Sequence, residues 1–179
     1  PPVRLSIIIP VLNEERRIAA AIDDVARIKP SEVIVVDGGS ADRTRQIVRN
    51  GPASLVLATR GRATQMNEGA RHASGDVLLF LHADTTLPTT ARVDVESCMA
   101  KAVCVGGRFD ICLDSTHLLL KIVGHMISLR SRLTRVATGD QAIFVRRSVF
   151  ERLGGFPEIP LKGDVAFCRA LKEEGRIAC

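Results

Sequence analysis

Four apolar runs, each followed by polar residues and a helix-like stretch, dominate the first half of the chain. The runs at residues 4–10, 32–36, 54–58 and 77–81 are rich in Ile, Val and Leu. Such continuous runs are typical of strands that are buried on both faces of a parallel sheet. Because strands and helices alternate, the sequence predicts an α/β fold with a mostly parallel central sheet and helices on both faces.

The remaining elements follow from apolar spacing and from Gly and Pro breaks. In the first half, helices are predicted at residues 13–28, 42–49 and 62–73. The second half is predicted to contain helices at 89–101, 116–135, 148–153 and 164–174, and strands at 103–113, 142–145 and from 176. With 179 residues we expect a single domain, 1–179, with halves at 1–87 and 88–179. Because a strand begins near Cys179, we expect a longer C-terminal portion.

The net charge and the amino-acid composition of the chain exclude some classes of binding partner. The formal net charge of +5 suits an anionic partner, which includes nucleic acids, membrane surfaces and phosphorylated molecules. With no Trp, no Tyr and six Phe, the chain offers few of the aromatic platforms on which nucleic-acid bases stack, so no nucleic acid is expected. The sequence shows no membrane-spanning run and no signal-peptide pattern, so a cytoplasmic protein is expected.

The cysteines give no metal or disulfide signature. No two of the five stand at CxxC spacing, and their number is odd. We therefore expect buried, reduced thiols. The five are Cys98, Cys104, Cys112, Cys168 and Cys179.

Polar clusters follow three of the predicted strands directly, at residues 13–14, 37–40 and 82–84. In open parallel sheets, ligands bind at the carboxyl ends of the strands, so these clusters predict a binding site there. Neither a GxxxxGK[ST] loop nor a GxGxxG turn is present, which argues against a Walker-type phosphate site and a dinucleotide fold.

The segments IIIPVLNEE, VIVVDGGSADRT, GRATQMNEGARHASGD and LLFLHADTTLP, in this order, resemble the donor half of glycosyltransferase family 2. The later segment TGDQAIFVRRSVFERLGGFPEIPLKGDVAFCRAL resembles the acceptor half. The resemblance covers nearly the whole chain and extends to small bacterial members with LHAD and GDQ signatures. It implies a GT-A fold and transfer of a sugar from a nucleotide-diphospho-sugar to an acceptor hydroxyl.

The resemblance also implies a set of donor-binding residues. In this reading, Asp37 accepts a hydrogen bond from uracil, which favours a UDP-sugar, and the glycines let the backbone approach the ligand. The alternative for Asp37 is an aspartate that only supports a turn or a helix start. The implied donor residues are Pro10, Leu12, Asn13, Glu14, Asp37, Gly38, Gly39, Arg62 and Gln65.

A divalent cation, Mn²⁺ or Mg²⁺, is the implied cofactor. Members of the family hold it with a DxD motif, and here the corresponding residues are His82 and Asp84. Oxygen ligands suit both ions, so Asp84 is the stronger ligand candidate. A structural turn is the alternative for Asp84, and His82 in place of an aspartate leaves strict metal dependence open.

Asp164 is the implied general base. Inverting members use the aspartate of an ED pair near a late helix to take a proton from the acceptor, and this chain has Gly163-Asp164 there. A helix N-cap is the alternative role for Asp164. We expect an inverting reaction because no separate nucleophile candidate is evident.

Further residues are implied to line the sugar and acceptor pockets: Gly107, Arg108, Asp140 and Gln141. The predicted helix at 116–135 has one apolar and one basic stripe. It either packs on the sheet with a solvated basic face or lies on an anionic membrane. The second alternative fits a lipid-linked acceptor and a location at the inner membrane face.

Two rival functions remain open at this point. The departures at His82 and Gly163 are compatible with a catalytically degenerate module that only binds nucleotide sugars. A sugar nucleotidylyltransferase would share the fold, but it would carry a Gly-rich loop after the first strand, where this chain has PVLNEE.

Overall fold

The computed structural model describes residues 3–109, 142–159 and 163–178. The strands are β1 (Leu5–Val11), β2 (Glu32–Asp37), β3 (Ser54–Leu57), β4 (Val77–Phe80), β5 (Cys104–Arg108), β6 (Ile143–Arg146) and β7 (Arg176–Ala178). The helices are α1 (Ile18–Ala26), α2 (Thr44–Arg49), α3 (Arg62–His72), α4 (Ala91–Met99), α5 (Arg147–Arg152) and α6 (Gly163–Glu174).

All seven strands form one sheet in the order β3-β2-β1-β4-β6-β5-β7. Strands β1 to β4 pair in parallel, and so do β5 and β7. Only β6 is reversed within this sheet: it pairs antiparallel with β4 on one side and with β5 on the other. The sheet therefore joins strands from both halves of the chain, and the predicted mostly parallel α/β architecture is confirmed.

Two apolar cores lie on opposite faces of the sheet. Helices α1, α2 and α4 cover one face, and α3, α5 and α6 cover the other. Successive residues of β1 alternate between the two cores, with Ile7 and Ile9 in the first and Ile8 in the second. Because both faces are covered, the interior strands are largely apolar, and the prediction of helices on both faces is confirmed.

Helix α3 packs tightly against the sheet at Gly69. A Cβ atom there would lie 2.5 Å from Ile8 Cγ2 and 2.8 Å from Val36 Cγ2, closer than real Cβ contacts. Both of these neighbours are buried side chains of central strands. The missing side chain at Gly69 therefore sets the distance between α3 and the carboxyl ends of β1 and β2.

Some element boundaries differ from the prediction. Helix α1 begins at Ile18 rather than at residue 13, because the preceding polar residues bond to the loop after β2. Strand β5 begins at Cys104, one residue after the predicted start, and runs through Gly106 and Gly107. Residues 110–113 of that predicted strand, and the predicted helix at 116–135, lie outside the described residues.

The expectation of reduced thiols is wrong for two cysteines. Cys98 and Cys104 form a disulfide, with Cα atoms 5.8 Å apart. Cys98 is in the last turn of α4 and Cys104 starts β5, so the short connection between the two elements brings them together. A search for CxxC spacing does not detect such a helix-to-strand pair. Cys168 is buried and outside any disulfide.

Within the described ranges, no helix is both long enough and apolar enough to cross a bilayer.

Candidate functional site

The loops that follow β1 and β2 are joined by hydrogen bonds at the carboxyl edge of the sheet. The backbone N–H of Asn13 donates to Ser40 Oγ at 2.8 Å, and Asn13 Oδ1 accepts from the N–H of Ala41 at 2.8 Å. The N–H of Glu14 donates to Thr44 Oγ1, also at 2.8 Å. These bonds hold the two predicted donor residues, Asn13 and Glu14, beside the loop that follows Asp37.

Three predicted donor residues in these loops differ in their exposure to solvent. Leu12 and Glu14 are half-buried, and Glu14 lies 3.8 Å from the guanidinium of Arg17. Gly39 is exposed and has a φ of 102°, which L side chains rarely adopt. A Cβ at Gly39 would meet nothing within 4 Å, so glycine is needed there for its conformation and not for space.

Asp37 ends β2 and is completely buried. Its Oδ2 accepts three hydrogen bonds, from the N–H groups of Gly39 and Ser40 at 3.0 Å each and from Arg45 Nε at 2.6 Å. Burial raises the pKa of Asp37, but the hydrogen bonds from Ser40, Arg45 and Gly39 outweigh it and hold the pKa below its usual value. In the described part of the chain, Oδ1 has no hydrogen-bond partner.

Gln65 ties the ends of β1 and β2 together. Its Nε2 donates to the carbonyl oxygens of Val11 at 2.9 Å and Val36 at 2.8 Å, and its Oε1 accepts from the N–H of Gly61 at 3.4 Å. A Cβ at Gly38 would lie 2.8 Å from the Gln65 amide. The side-chain amide of Gln65, one of the implied donor residues, is thus engaged with the backbone, which makes Gln65 a positioning residue in this geometry.

Gln65→Ala is expected to lower the free energy of unfolding by about 1–3 kcal/mol and to weaken nucleotide binding. The substitution removes both hydrogen bonds that hold the strand ends, and it leaves buried carbonyl groups less well paired. Thermal unfolding and calorimetric titration measure the two effects. Thr64→Ala on the same helix is the control and should change neither by more than about 0.5 kcal/mol. Unchanged stability in Gln65→Ala would contradict this role.

One pocket brings together residues that the sequence assigned to different roles. It is lined by Pro10 and Arg62 from the predicted donor set, by His82 from the predicted metal pair, and by Asp164, the predicted base. The other lining residues are apolar: Met66, Phe80, Leu81, Ile143 and Phe156. The space that they enclose is about 10 Å³, room for one water molecule, so these residues lie together around a small cavity that would have to widen before it could hold a sugar.

Asp164 is half-buried in the first turn of α6. Its Oδ1 accepts from the N–H of Val165 at 2.9 Å, and the helix N-terminus stabilises a negative charge there. A Cβ at Gly163 would lie 2.9 Å from the carbonyl oxygen of Pro157. The glutamate of an ED pair would therefore collide with this backbone, which explains a glycine at residue 163 in this fold.

His82 and Asp84 share a tight turn after β4. The N–H of Thr85 donates to the carbonyl oxygen of His82 at 3.1 Å and closes the turn. The Asp84 carboxylate is exposed, and its Oδ1 accepts a long hydrogen bond of 3.4 Å from Thr85. The described residues contain no group of three acidic, His or Cys side chains that could hold a metal ion. A cation at Asp84 would therefore need ligand oxygens from a bound diphosphate or water.

The predicted sugar and acceptor residues are described only in part. Arg108 ends β5 and is 4% exposed. Gly107 lies against the ring of Phe144, which leaves no room for a side chain at residue 107. Asp140 and Gln141 lie outside the described residues. The placement of this predicted pocket therefore stays a prediction.

Sequence reasoning missed the residues that support the site. Arg45 binds Asp37, Ser40 and Thr44 bind the loop after β1, and Asp42 accepts from the backbone N–H of Glu15 at 3.1 Å. The DxT spacing was a usable signal, since Asp42 Oδ1 also accepts from the N–H of Thr44 as helix-start aspartates do. No local pattern indicated the partner of Arg45.

The sequence matches the family described as "Glycosyl transferase family 2" over residues 6–153. A "PGL/p-HBAD biosynthesis glycosyltransferase" of Mycobacterium bovis is 33% identical over 170 residues, which cover 84% of this chain and 62% of the relative. The chain thus spans about three-fifths of that relative's length.

Solved structures share the fold. A mannosyltransferase of Pyrobaculum calidifontis in complex with GDP-Man and Mn²⁺ superposes with a TM-score of 0.77 at 23% identity, over 99% of this chain and 55% of the other. A glucosyl-3-phosphoglycerate synthase of Mycobacterium tuberculosis in complex with Mn²⁺, UDP-Glc and phosphoglyceric acid gives 0.70 at 18% identity, over 98% and 68%.

Proposed function

Because the chain belongs to glycosyl transferase family 2, we propose that it moves a sugar from a nucleotide-diphospho-sugar to an acceptor hydroxyl. The observation that carries the proposal is that Arg62, His82 and Asp164 lie together around one small cavity. A transferase needs a cation for the diphosphate and a base for the acceptor within one site, and these residues supply both kinds of group.

Asp37 supports binding of the nucleotide base. A carboxylate whose Oδ1 is buried without a partner in the described chain is costly, and a base N–H would satisfy it. The joined loops that contain Asn13 and Glu14 flank the same strand end. Uracil is the base that the sequence favoured. The two solved structures hold GDP-Man and UDP-Glc, and both of their bases carry a ring N–H.

Asp84, with His82, would hold a divalent cation against the diphosphate. The exposed carboxylate of Asp84 has oxygen atoms of the kind that Mn²⁺ and Mg²⁺ prefer. When bound, the cation would neutralise charge on the leaving diphosphate. The guanidinium of Arg62, which lines the same pocket as His82, would add a second positive charge.

Asp164 would take the proton from the attacking acceptor hydroxyl. Its carboxylate, in the first turn of α6, lines the same pocket as Arg62 and His82, and a carboxylate is a group that can act as a general base. Direct attack assisted by one base inverts the anomeric carbon. A lipid-linked acceptor and contact with the inner membrane face remain predictions from sequence, since the helix on which they rest lies outside the described residues.

Calorimetric titration with UDP and with GDP, each with and without Mn²⁺, tests donor binding. We expect one nucleotide to bind, with an affinity that rises at least about tenfold with Mn²⁺. Asp84→Asn should remove that rise, whereas Asp94→Asn, on the exposed face of α4, should keep it. No binding of either nucleotide to folded protein would overturn the proposal.

A turnover assay separates the enzyme from the binding-only alternative. Gly163 and His82 depart from the family pattern, which is the reason to keep that alternative. Incubation with a panel of UDP- and GDP-sugars, with release of the nucleoside diphosphate as the readout, distinguishes the two. Binding without release, across donors and acceptors, would identify a binding module.

A further inference from the structure

The two oxygens of the Asp37 carboxylate are used unequally. Oδ2 accepts from Gly39, Ser40 and Arg45, while Oδ1 has no partner in the described chain. The two N–H donors belong to the loop backbone, so they do not depend on side-chain chemistry. Of these three donors Arg45 is the one that carries charge, and a side-chain hydrogen bond from Ser40 also lowers the pKa of Asp37.

Burial alone would favour a protonated carboxyl at Asp37. The residue is completely buried, and a neutral carboxyl has a lower desolvation free energy there than an anion. Arg45, on helix α2, opposes this effect because its Nε lies 2.6 Å from Asp37 Oδ2. The Arg45 side chain is itself 37% exposed, so its positive charge remains partly hydrated. Among the neighbouring groups, α3 places the neutral Gln65 amide over Gly38, and the loop after β1 bonds to Ser40 through Asn13 and also carries the half-buried carboxylate of Glu14.

The protonation state decides which base edge Asp37 can bind. An ionised carboxylate only accepts hydrogen bonds, whereas a neutral carboxyl also donates one. Uracil and guanine present a ring N–H, which suits an acceptor. Cytosine and adenine present a ring nitrogen with a lone pair at the corresponding edge, so an ionised Asp37 would repel them and a neutral one would bind them.

We propose that Arg45 is a positioning residue that keeps Asp37 an obligate acceptor and thereby restricts the donor to nucleotides whose base carries a ring N–H. This inference rests on the proposed donor site. It adds a selectivity role for a residue of α2 that does not itself need to touch the nucleotide.

The test compares affinities for UDP, GDP, CDP and ADP at pH 7 with Mn²⁺, in the wild type, Arg45→Gln, Arg45→Met, Arg45→Lys and Arg49→Met. The selectivity ratio is the affinity for UDP or GDP, whichever binds more tightly, divided by the affinity for CDP or ADP, whichever binds more tightly. We expect about 10- to 100-fold in the wild type, which corresponds to one buried polar mismatch. In Arg45→Gln and Arg45→Met the ratio should fall below about threefold.

The controls separate selectivity from folding. Arg45→Lys should retain most of the ratio because it restores the charge, and Arg49→Met, on the exposed part of α2, should leave it unchanged. A merely structural role would weaken all four nucleotides equally, and an unchanged ratio in Arg45→Gln or Arg45→Met would overturn the inference. If the wild type binds none of the four, the proposed function fails first, and this inference fails with it.

Discussion

Replacing Asp164 with asparagine is expected to lower the rate of sugar transfer by about 10²- to 10⁴-fold, the range typical of a lost general base. Asparagine has nearly the same shape and keeps an oxygen that can accept from the N–H of Val165, so α6 should start as before. The amide cannot take a proton from the acceptor. Affinity for the nucleoside diphosphate should therefore stay within about threefold.

Initial rates and calorimetric affinities, measured on the same preparations, separate these two effects. Glu158→Gln is a matched control, because it removes a carboxylate from an exposed position shortly before α6. Normal turnover in Asp164→Asn would sink the assignment. Loss of turnover together with loss of nucleotide binding would instead point to the N-cap role, in which Asp164 only supports the helix.

Gly69→Ala is expected to lower the free energy of unfolding by about 2 kcal/mol, although alanine favours helices more than glycine does. The new methyl group would overlap the side chains of Ile8 and Val36, which belong to the two central strands and have no room to retreat. Helix α3 would have to move away from the sheet. For a chain of this size, that loss corresponds to a fall in Tm of about 4–8 °C.

Gly51→Ala provides the matched control for this substitution. A Cβ at Gly51 would make ordinary contacts of 3.5 and 3.6 Å with the carbonyl oxygens of Val48 and Ile47, so it should cost less than about 0.5 kcal/mol. Since Gln65 lies on α3, Gly69→Ala should also weaken nucleotide binding. A Tm equal to that of the wild type would mean that α3 packs further from the sheet than described.

The central strands were predictable because each is a continuous apolar run. Strands β1 to β4 lie within one residue of their predicted positions, since burial on both faces leaves a plain signal in the sequence. The reversed direction of β6 was not predictable in this way. A four-residue apolar run reads the same in either direction, and its orientation depends on β4 and β5, between which it inserts.

The positions of the candidate site residues at the strand ends were predictable, but the side chains that support them were not. Asp37 directly follows one apolar run, and Asp84 comes three residues after the end of another, which placed both at the carboxyl edge of the sheet. The partners of Gln65 and Arg45 are fixed only by tertiary structure, since Gln65 Nε2 reaches two carbonyl groups on strands far from it in the chain. The pairing of Cys98 with Cys104 likewise depends on how tightly a helix turns into a strand.

The reversed strand has a consequence for how the chain folds. Strand β4 (residues 77–80) pairs with β1 on one side and with β6 (residues 143–146) on the other. The edge of β4 that pairs with β6 therefore stays open until the chain between the two strands has closed into a long loop. Contacts of this sequence separation slow folding, and an open apolar strand edge is prone to aggregate meanwhile. During synthesis, β1 to β4 leave the ribosome before β6 does, so this edge of β4 is unpaired in the nascent chain. Chaperones that cover exposed strand edges would therefore raise the yield of native protein.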